Sequence, residues 1–193
     1  MARPREFEAE TALDRAMNLF WTKGYCATTT RDIVDALCLG RQSIYNAFGD
    51  KESLFGRCLE WYEKSILDPR FEELERKGAS KPEIVRFVAH AVEFYDLQRP
   101  RKGCMITNTA VDASMIIPVA AAKSKAYMDR LSSGFRKTIS NALLRKELTQ
   151  SLDVEAVALS LACTMLGMAV ASKVGANRVE LVDMASVALR PLY

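Results

Sequence analysis

Five polar side chains lie close together near the start of one short helical pattern, and their types suit contact with nucleic acid. Arginine can bond guanine through two hydrogen bonds, glutamine or asparagine can do so with adenine, and tyrosine or serine can hold a phosphate oxygen. The N-terminal end of a recognition helix is the part that reaches base edges in a major groove. The candidate DNA-contacting residues of this segment are Arg41, Gln42, Ser43, Tyr45 and Asn46.

Two short helices joined by a tight turn would position these side chains. Thr29 is the expected N-cap of the first helix, because its hydroxyl can accept from free backbone N–H groups, and Asp32 follows as a short capping-box acid. The next apolar-periodic run, with Ile44 and Phe48, begins after Gly40. The link of about three or four residues is the length that a helix-turn-helix uses. The spacing alone also fits an ordinary surface pair of helices.

Further hydrogen-bond donors flank the two helices where they could grip a phosphate backbone. Thr30 and Arg31 stand at the start of the first helix, and Lys51 follows Gly49 and Asp50 at the start of the next one. A helix start offers free N–H groups and the positive end of the helix dipole to an anion. We therefore expect phosphate contacts on both sides of the base-reading segment.

Three motifs stand in order along the N-terminal part of the chain: FWTKGY at residues 20–25, TTTRDI at 28–33 and IYxxFxxKExL at 44–54. From Ala9 to about Leu59 the sequence thereby resembles the DNA-binding domain of tetracycline-repressor-like (TetR family) transcriptional regulators. By that resemblance, eight residues match positions that usually touch DNA: Thr30, Arg31, Arg41, Gln42, Ser43, Tyr45, Asn46 and Lys51.

Two residues of the turn depart from the pattern of the resembled family. Cys38 stands where the family commonly has glycine, and Gly40 stands where it often has a serine N-cap. A cysteine held at positive φ would be strained, whereas glycine is an acceptable N-cap. We therefore expect a slightly remodelled turn.

Composition and charge bound the class of protein. The chain has 193 residues, 49% of them apolar, and a net charge of +3, so it can bury a core. Basic and acidic residues are equal in number over residues 1–51, and any field that favours DNA must therefore be local. Arg3 and Arg5 are interpreted as part of a solvated tail, with a short basic arm as the alternative.

The cysteines and the single histidine give little support for a metal site. None of the five cysteines has CxxC spacing, and their number is odd. We expect reduced, largely buried thiols in a cytoplasmic protein, without a metal or cofactor. The N-terminus, MARPREFEAE, lacks the apolar segment of a signal peptide. The cysteines are Cys26, Cys38, Cys58, Cys104 and Cys163.

Two further function classes can be built from these residues. Cys104 and His90 could act as nucleophile and base, but they lie in unrelated helices without an enzyme signature around either, so we expect no enzyme. A thiol-based redox sensor, with Cys104 or Cys38 oxidised to release DNA, is the other alternative.

The remainder of the chain is also predicted to be helical, which makes the fold all-α. Helix starts or stops are indicated at Lys51, Ser80, Gly103, Pro118, Asp153 and Asn177. The helix from Lys51 is expected to end before Asp68-Pro69, with resumption to Gly78 as the alternative, and the one from Pro118 to reach about Leu148. We divide the chain into an N-terminal three-helix DNA-binding domain, residues 1–50, and a helical-bundle domain for ligand binding and dimerisation, residues 51–193.

A pocket between the bundle helices is expected to take an apolar or aromatic small molecule. His90 and Asn108 would be its orienting polar groups. The candidate lining residues are Trp61, Tyr62, Phe87, His90, Phe94, Met105, Asn108 and Met165.

The uncharged stretch Ala156–Ser172 indicates where a second copy would pack. It falls short of the roughly 20 strongly apolar residues of a membrane span, so we expect a soluble helix buried on most faces. In the resembled family the last two helices pack against those of a second subunit. Such a homodimer would present two recognition helices about one DNA turn apart, roughly 34 Å, to a palindromic operator. The resemblance thus implies a ligand-responsive DNA-binding regulator, and we expect a repressor.

Overall fold

The computed structural model describes residues 3–148 and 152–193, with side chains described from residue 9 onward. Every regular element in these ranges is helical, as expected. The α-helices are α1 (Arg3–Lys23), α2 (Thr30–Leu37), α3 (Arg41–Phe48), α4 (Lys51–Tyr62), α5 (Asp68–Glu75), α6 (Lys81–Leu97), α7 (Met105–Asp112), α8 (Pro118–Leu144), α9 (Val154–Lys173) and α10 (Arg178–Leu189).

Helix α1 covers the small N-terminal unit with one apolar face. Met17, Phe20 and Trp21 are buried as the periodicity predicts, whereas Leu13 is only half-buried. The helix stops at Gly24, whose φ of +82° is the left-handed conformation that glycine supplies at a helix C-terminus. Burial of this face against α2 and α4 holds the paired helices in place.

The chain stays helical from Lys51 to Glu75, so the predicted break before Asp68-Pro69 is wrong. A π-helical segment, Glu63–Leu67, joins α4 to α5. Pro69 stands in the first turn of α5, where the missing N–H costs little, and the wider turn ahead of it leaves room for the ring. The long element that results runs from the N-terminal unit into the bundle.

Two further helix ends of the bundle follow local rules. Ser80 and Glu83 form the expected capping box at the start of α6. Helix α8 ends at Leu144 and not near Leu148, because Lys146 adopts a φ of +57°, which terminates the helix.

Helices α9 and α10 close the chain with much apolar surface uncovered. By length and composition α9 could cross a membrane, yet only 33% of its most apolar window is buried inside the subunit. One copy of the chain therefore does not bury most faces of α9, and the burial expected from the sequence requires a partner surface. Apolar side chains exposed on the two helices and their link are Leu159, Val170, Val174, Val179, Val182 and Val187.

Helix α4 belongs by its packing to both parts of the molecule. The Phe55 ring lies 5.0 Å from that of Phe20 and 4.9 Å from that of Tyr25, centroid to centroid. The start of α4 thus completes the core under α1. The domain boundary after residue 50 stays a prediction.

Candidate nucleic-acid interface and ligand cavity

Helix α2 begins with the predicted capping box. The Thr29 hydroxyl accepts from the Asp32 N–H at 3.2 Å, and the Asp32 carboxylate accepts from the Thr29 N–H at 2.7 Å. Lys23 donates to the same carboxylate at 2.6 Å. The Lys23 and Thr29 hydrogen bonds hold the pKa of Asp32 well below its ordinary value. These hydrogen bonds fix the start of α2, and the Lys23 ammonium offsets the negative charge of the Asp32 carboxylate.

The turn between α2 and α3 holds Cys38 in a left-handed conformation, with a positive φ that usually requires glycine. Cys38 adopts φ 54° and ψ 35°, the left-handed region in which a side chain is disfavoured, and its N–H donates to the Val34 carbonyl at 3.0 Å. Gly40 is the N-cap of α3, so no side chain satisfies the first N–H groups of that helix. These groups remain free for other acceptors, such as phosphate oxygens.

Helix α3 separates an inward apolar face from an outward polar one. Ile44 and Phe48 are buried, which fixes the rotation of the helix against α2 and α4. Gln42 donates to the Asn46 side chain at 3.0 Å, one helical turn further on. The exposed side chains of this helix include four of the predicted DNA-contacting residues: Arg41, Gln42, Ser43 and Asn46.

Tyr45 links the outward face of α3 to the start of α2. Contacts with the Thr30 hydroxyl and then with Arg41 lower the pKa of the Tyr45 phenol. The Arg41 guanidinium carbon lies 5.4 Å from the centroid of the Tyr45 ring. Three predicted residues from two helices thus form one continuous polar surface.

The two outermost predicted residues flank this surface. Arg31 is almost fully exposed and lies 3.8 Å from Asp35, an ion pair too open to immobilise it. The Lys51 ammonium lies 4.1 Å from the Tyr25 ring centroid, at the start of α4. The Asp50 carboxylate caps that helix by accepting from the Ser53 N–H at 2.8 Å. The predicted DNA-contacting residues of α2 and α3 are thus exposed or half-buried, and Lys51 stands at the start of α4, while the side chains of Arg3 and Arg5 fall outside the described part.

A large cavity, with a volume of about 760 Å³, lies between α5, α6, α8 and α9. Of the predicted lining residues, Phe87, His90 and Met165 line it. His90 is held at its Nδ1 atom by Glu73, 3.0 Å away. The size of the cavity and a wall that combines aromatic, aliphatic and charged side chains fit a small organic molecule.

The other predicted lining residues lie elsewhere. Trp61 and Tyr62 do not line this cavity, and the rings of Tyr62 and Phe94 both pack against Trp21. Met105 and Asn108 line a second cavity of about 410 Å³ between α1, α4, α7 and α9. The Asn108 amide donates to the Lys102 carbonyl at 2.8 Å, which ties it to the preceding loop.

Sequence reasoning missed several residues that line the large cavity. They lie on α5, where the sequence pattern predicts an interruption, or on faces that the pattern assigns to ordinary core. A helical pattern shows which residues face inward but not where the facing helices leave a gap. The missed lining residues with polar atoms include Arg70, Glu72, Glu73, Glu75, Arg76, Tyr95 and Tyr127.

The thiols are less buried than expected. Cys26, Cys38 and Cys163 are exposed, and only Cys58 and Cys104 are buried. Burial raises the pKa of the Cys58 thiol, which is the opposite of activation. In the part of the chain that the structure describes, no group of three or more histidine, cysteine or acidic residues could hold a metal ion.

Helix α7 connects the wall of the large cavity to the N-terminal unit. Its first residue follows Cys104, whose thiol neighbours the Tyr62 and Tyr127 hydroxyls. Its last residue, Asp112, accepts from the Tyr25 N–H at 2.9 Å. One short helix therefore contacts both the wall of the large cavity and the loop that follows α1.

Known proteins resemble this chain in both sequence and fold. The HTH-type transcriptional repressor ComR of Escherichia coli (strain K12) is 29% identical over 190 residues, 97% of this chain and 90% of ComR. A cysteine mutant of the regulator CifR, solved with 26 bp operator DNA, is 25% identical with a TM-score of 0.81, covering 94% of this chain and 95% of that one. A TetR regulator from Chloroflexus aurantiacus has the same fold, with a TM-score of 0.85 at 22% identity over 98% of this chain and 96% of that one.

Two family models match the sequence in the order of its two parts. Residues 12–58 match bacterial regulatory proteins of the tetR family, and residues 80–185 match the tetracyclin repressor-like C-terminal domain. The second match alone covers more than half of the chain. Proteins of this kind are regulators and, as a rule, not enzymes. The polar surface of α2 and α3 and these matches together show that the chain belongs to the TetR family of DNA-binding transcriptional regulators.

Proposed function

We propose that the protein is a cytoplasmic homodimeric repressor that binds a palindromic operator and releases it when a small molecule occupies the large cavity. The observation that carries the proposal is the outward polar face of α3, which buried Ile44 and Phe48 hold in one orientation. The similarity to ComR, which is a transcriptional repressor, supports the same activity.

The roles of the exposed side chains follow from their positions on the helices. Arg41 and Gln42, in the first turn of α3, are placed for base edges in the major groove. Arg31 and Lys51, at the starts of the flanking helices, are placed for phosphates. Thr30, Ser43, Tyr45 and Asn46 complete the surface with hydroxyl and amide groups.

The uncovered apolar faces of α9 and α10 support the dimer. Leu159 and Val187 are about half exposed, and Val179 is 68% exposed. Side chains of this kind on adjacent helices are typical of an interface between subunits. A two-fold dimer would place two α3 helices on successive half-sites of one face of the DNA.

The contacts of α7 support coupling between cavity and DNA. A ligand that displaces the wall near Cys104 would act on the start of α7, and Asp112 at its end holds the loop after α1. The ligand needs only a higher affinity for the arrangement that does not fit the operator.

The test is a selection of bound sequences from a random duplex pool by the purified protein at two salt concentrations. We expect a palindromic consensus with half-sites about one helical turn apart, roughly 10 bp, and weaker binding at the higher salt. Failure to enrich any sequence, or enrichment of a single non-palindromic site, would contradict the proposed operator binding.

A further inference from the structure

One cation in the wall of the large cavity, Arg70, has no carboxylate partner in the described part of the chain. Arg70 lines the cavity and is half-buried, and burial lowers the pKa of its guanidinium. None of the carboxylates in the described part of the chain forms an ion pair with it, and the titratable groups that act on it most strongly are Tyr62, Tyr95, Tyr127 and Cys104. A half-buried charge without a counterion is unfavourable unless something else supplies one.

The other arginines around the cavity are paired. Arg130 donates to Glu75 at 2.6 Å and to Asp68 at 2.6 Å. Arg86 pairs with Glu73 and with Glu83, and Arg76 also pairs with Glu83. These pairs leave Glu72, which is exposed to solvent, as the lining carboxylate without an ion pair in the described ranges. The acids near the cavity are thus largely neutralised, while Arg70 is not.

The aromatic contact of Arg70 satisfies only one face of its guanidinium. Its central carbon lies 3.2 Å from the centroid of the Phe94 ring. A cation–π contact attracts the plane of the group but accepts none of its five N–H hydrogens. Arg130 makes a similar contact with Phe71, at 4.1 Å, and still binds two carboxylates at its edge. The edge of Arg70 therefore remains available to an acceptor in the cavity.

Two phenols lie in the same wall. Tyr95 and Tyr127 line the cavity and are 4% and 8% exposed, and burial keeps the pKa of each phenol above its ordinary value. Both stay neutral and can donate a hydrogen bond to an anion. The rings of Phe71 and Phe87, 5.6 Å apart, supply an apolar surface beside these donors.

We propose that the effector is an organic anion with an aromatic body, whose carboxylate or sulfonate binds the edge of Arg70 while the rings pack on Phe71 and Phe87. This inference rests on the proposed effector function of the cavity and names the chemical class that it takes. The phenols of Tyr95 and Tyr127 add neutral donors to the same end of the ligand. Arg70 thereby selects acids over neutral aromatic compounds of similar shape.

The experiment uses two fluorescent probes with the same ring system. 8-Anilinonaphthalene-1-sulfonate carries the anion, and N-phenyl-1-naphthylamine lacks it. We titrate both into the full-length protein and into Arg70→Gln, Arg70→Lys, Arg76→Gln and Ala91→Trp variants, after checking each fold by thermal melting. Arg76 also lines the cavity but is already paired with Glu83, so its variant is the matched control. Ala91 lines the cavity, and a tryptophan there should fill it.

We expect Arg70→Gln to weaken the sulfonate about tenfold or more, since a hydrogen bond to a charged group is lost, and to leave the neutral probe unchanged. Arg70→Lys should retain part of the sulfonate affinity, and Arg76→Gln should retain all of it. If Arg70→Gln weakened both probes equally or neither, the anion site would be wrong while the cavity remained a ligand site. If neither probe bound, or if both bound Ala91→Trp as well as the parent, the effector cavity itself would be wrong.

Discussion

At the scale of single residues, an arginine and a lysine near the proposed DNA differ in what they can recognise. Arg41 is exposed in the first turn of α3, where a guanidinium can reach two acceptors of one base. Lys51 stands outside the pair of helices, next to Tyr25, where an ammonium meets a phosphate as a point charge. The first should therefore govern sequence preference, and the second should govern general affinity.

Replacing Arg41 by alanine tests the base-reading position. We expect the Arg41→Ala variant to lose about 1–3 kcal/mol of binding free energy on the selected operator and to relax preference at one base position in each half-site. Fluorescence anisotropy with the operator and with single-base variants measures both. Equal losses on every sequence would contradict a base contact and would indicate a phosphate contact.

Replacing Lys51 by alanine is the contrasting case. The Lys51→Ala variant should bind operator and random duplex less well by a similar factor. The slope of log affinity against log salt should become shallower by about 1 for each phosphate that Lys51 neutralises in the parent. Titrations at several salt concentrations give that slope. An unchanged slope would place Lys51 away from the phosphate backbone.

Which side chains of α3 face outward could be predicted, because the helical period decides it; their contacts with DNA stay a prediction. Ile44 and Phe48 bury one side of an eight-residue helix, and the outward residues follow from the helical period. Arg70 could not be predicted in the same way. Its role depends on a gap between α5, α6, α8 and α9, and on which neighbouring arginines have already taken the carboxylates.

At the scale of elements, the sequence predicts the caps of α2 and α6 but not the continuity of α4 into α5. Thr29 with Asp32, and Ser80 with Glu83, are each specified by side chains three residues apart. The π-helical segment Glu63–Leu67 depends on how α4 and α5 pack, and the end of α8 depends on the backbone of Lys146. Tertiary packing therefore determines the continuity of α4 into α5 and the end of α8, which the local sequence pattern does not specify.

The turn of the helix-turn-helix offers a stability prediction. Cys38 keeps a side chain at φ 54°, so Cys38→Gly should raise the free energy of unfolding by about 0.5–1 kcal/mol, after the entropy that glycine adds to the unfolded chain. Cys38→Ala removes the thiol but keeps the Cβ atom, and it should bring no such gain. Urea unfolding compares the three proteins. Equal stability of the glycine and alanine variants would show that the turn is not strained.

The start of α6 offers a pH prediction. Burial opposes the charge on Glu83, but hydrogen bonds from the Ser80 N–H and from Arg86 outweigh it and lower its pKa from 4.5 to about 2. Glu83 therefore stabilises the fold above about pH 4.5, and this contribution is lost as the pH falls towards 2. Between pH 6 and pH 3 the parent should lose about 1–2 kcal/mol more than Glu83→Gln.

Urea unfolding at both pH values measures that difference. The control is Glu93→Gln, which changes an exposed glutamate of the same helix and should lose stability with pH as the parent does. If Glu83→Gln lost as much stability as the parent between the two pH values, the Ser80 and Arg86 hydrogen bonds would not be retained in solution.

At the scale of the whole molecule, the apolar faces of α9 and α10 determine the proposed assembly. Exposed apolar side chains on α9 and α10 are unfavourable in water, and a two-fold partner can cover the same face on both copies. The dimer also sets the spacing of the two α3 helices. A variant that cannot form the dimer should therefore also fail to bind the operator.

The variant that tests this is Leu159→Glu on α9. Two-fold symmetry would bury the new carboxylate twice, so we expect the dimer dissociation constant to rise at least about 100-fold, or roughly 3 kcal/mol. Met115→Glu is the control, because Met115 is fully exposed in the link before α8. Light scattering and operator binding measure the effect at micromolar concentration. A folded, monomeric Leu159→Glu variant that no longer binds the palindrome would support the dimer mechanism. If the parent protein were itself monomeric, the dimer mechanism would be wrong.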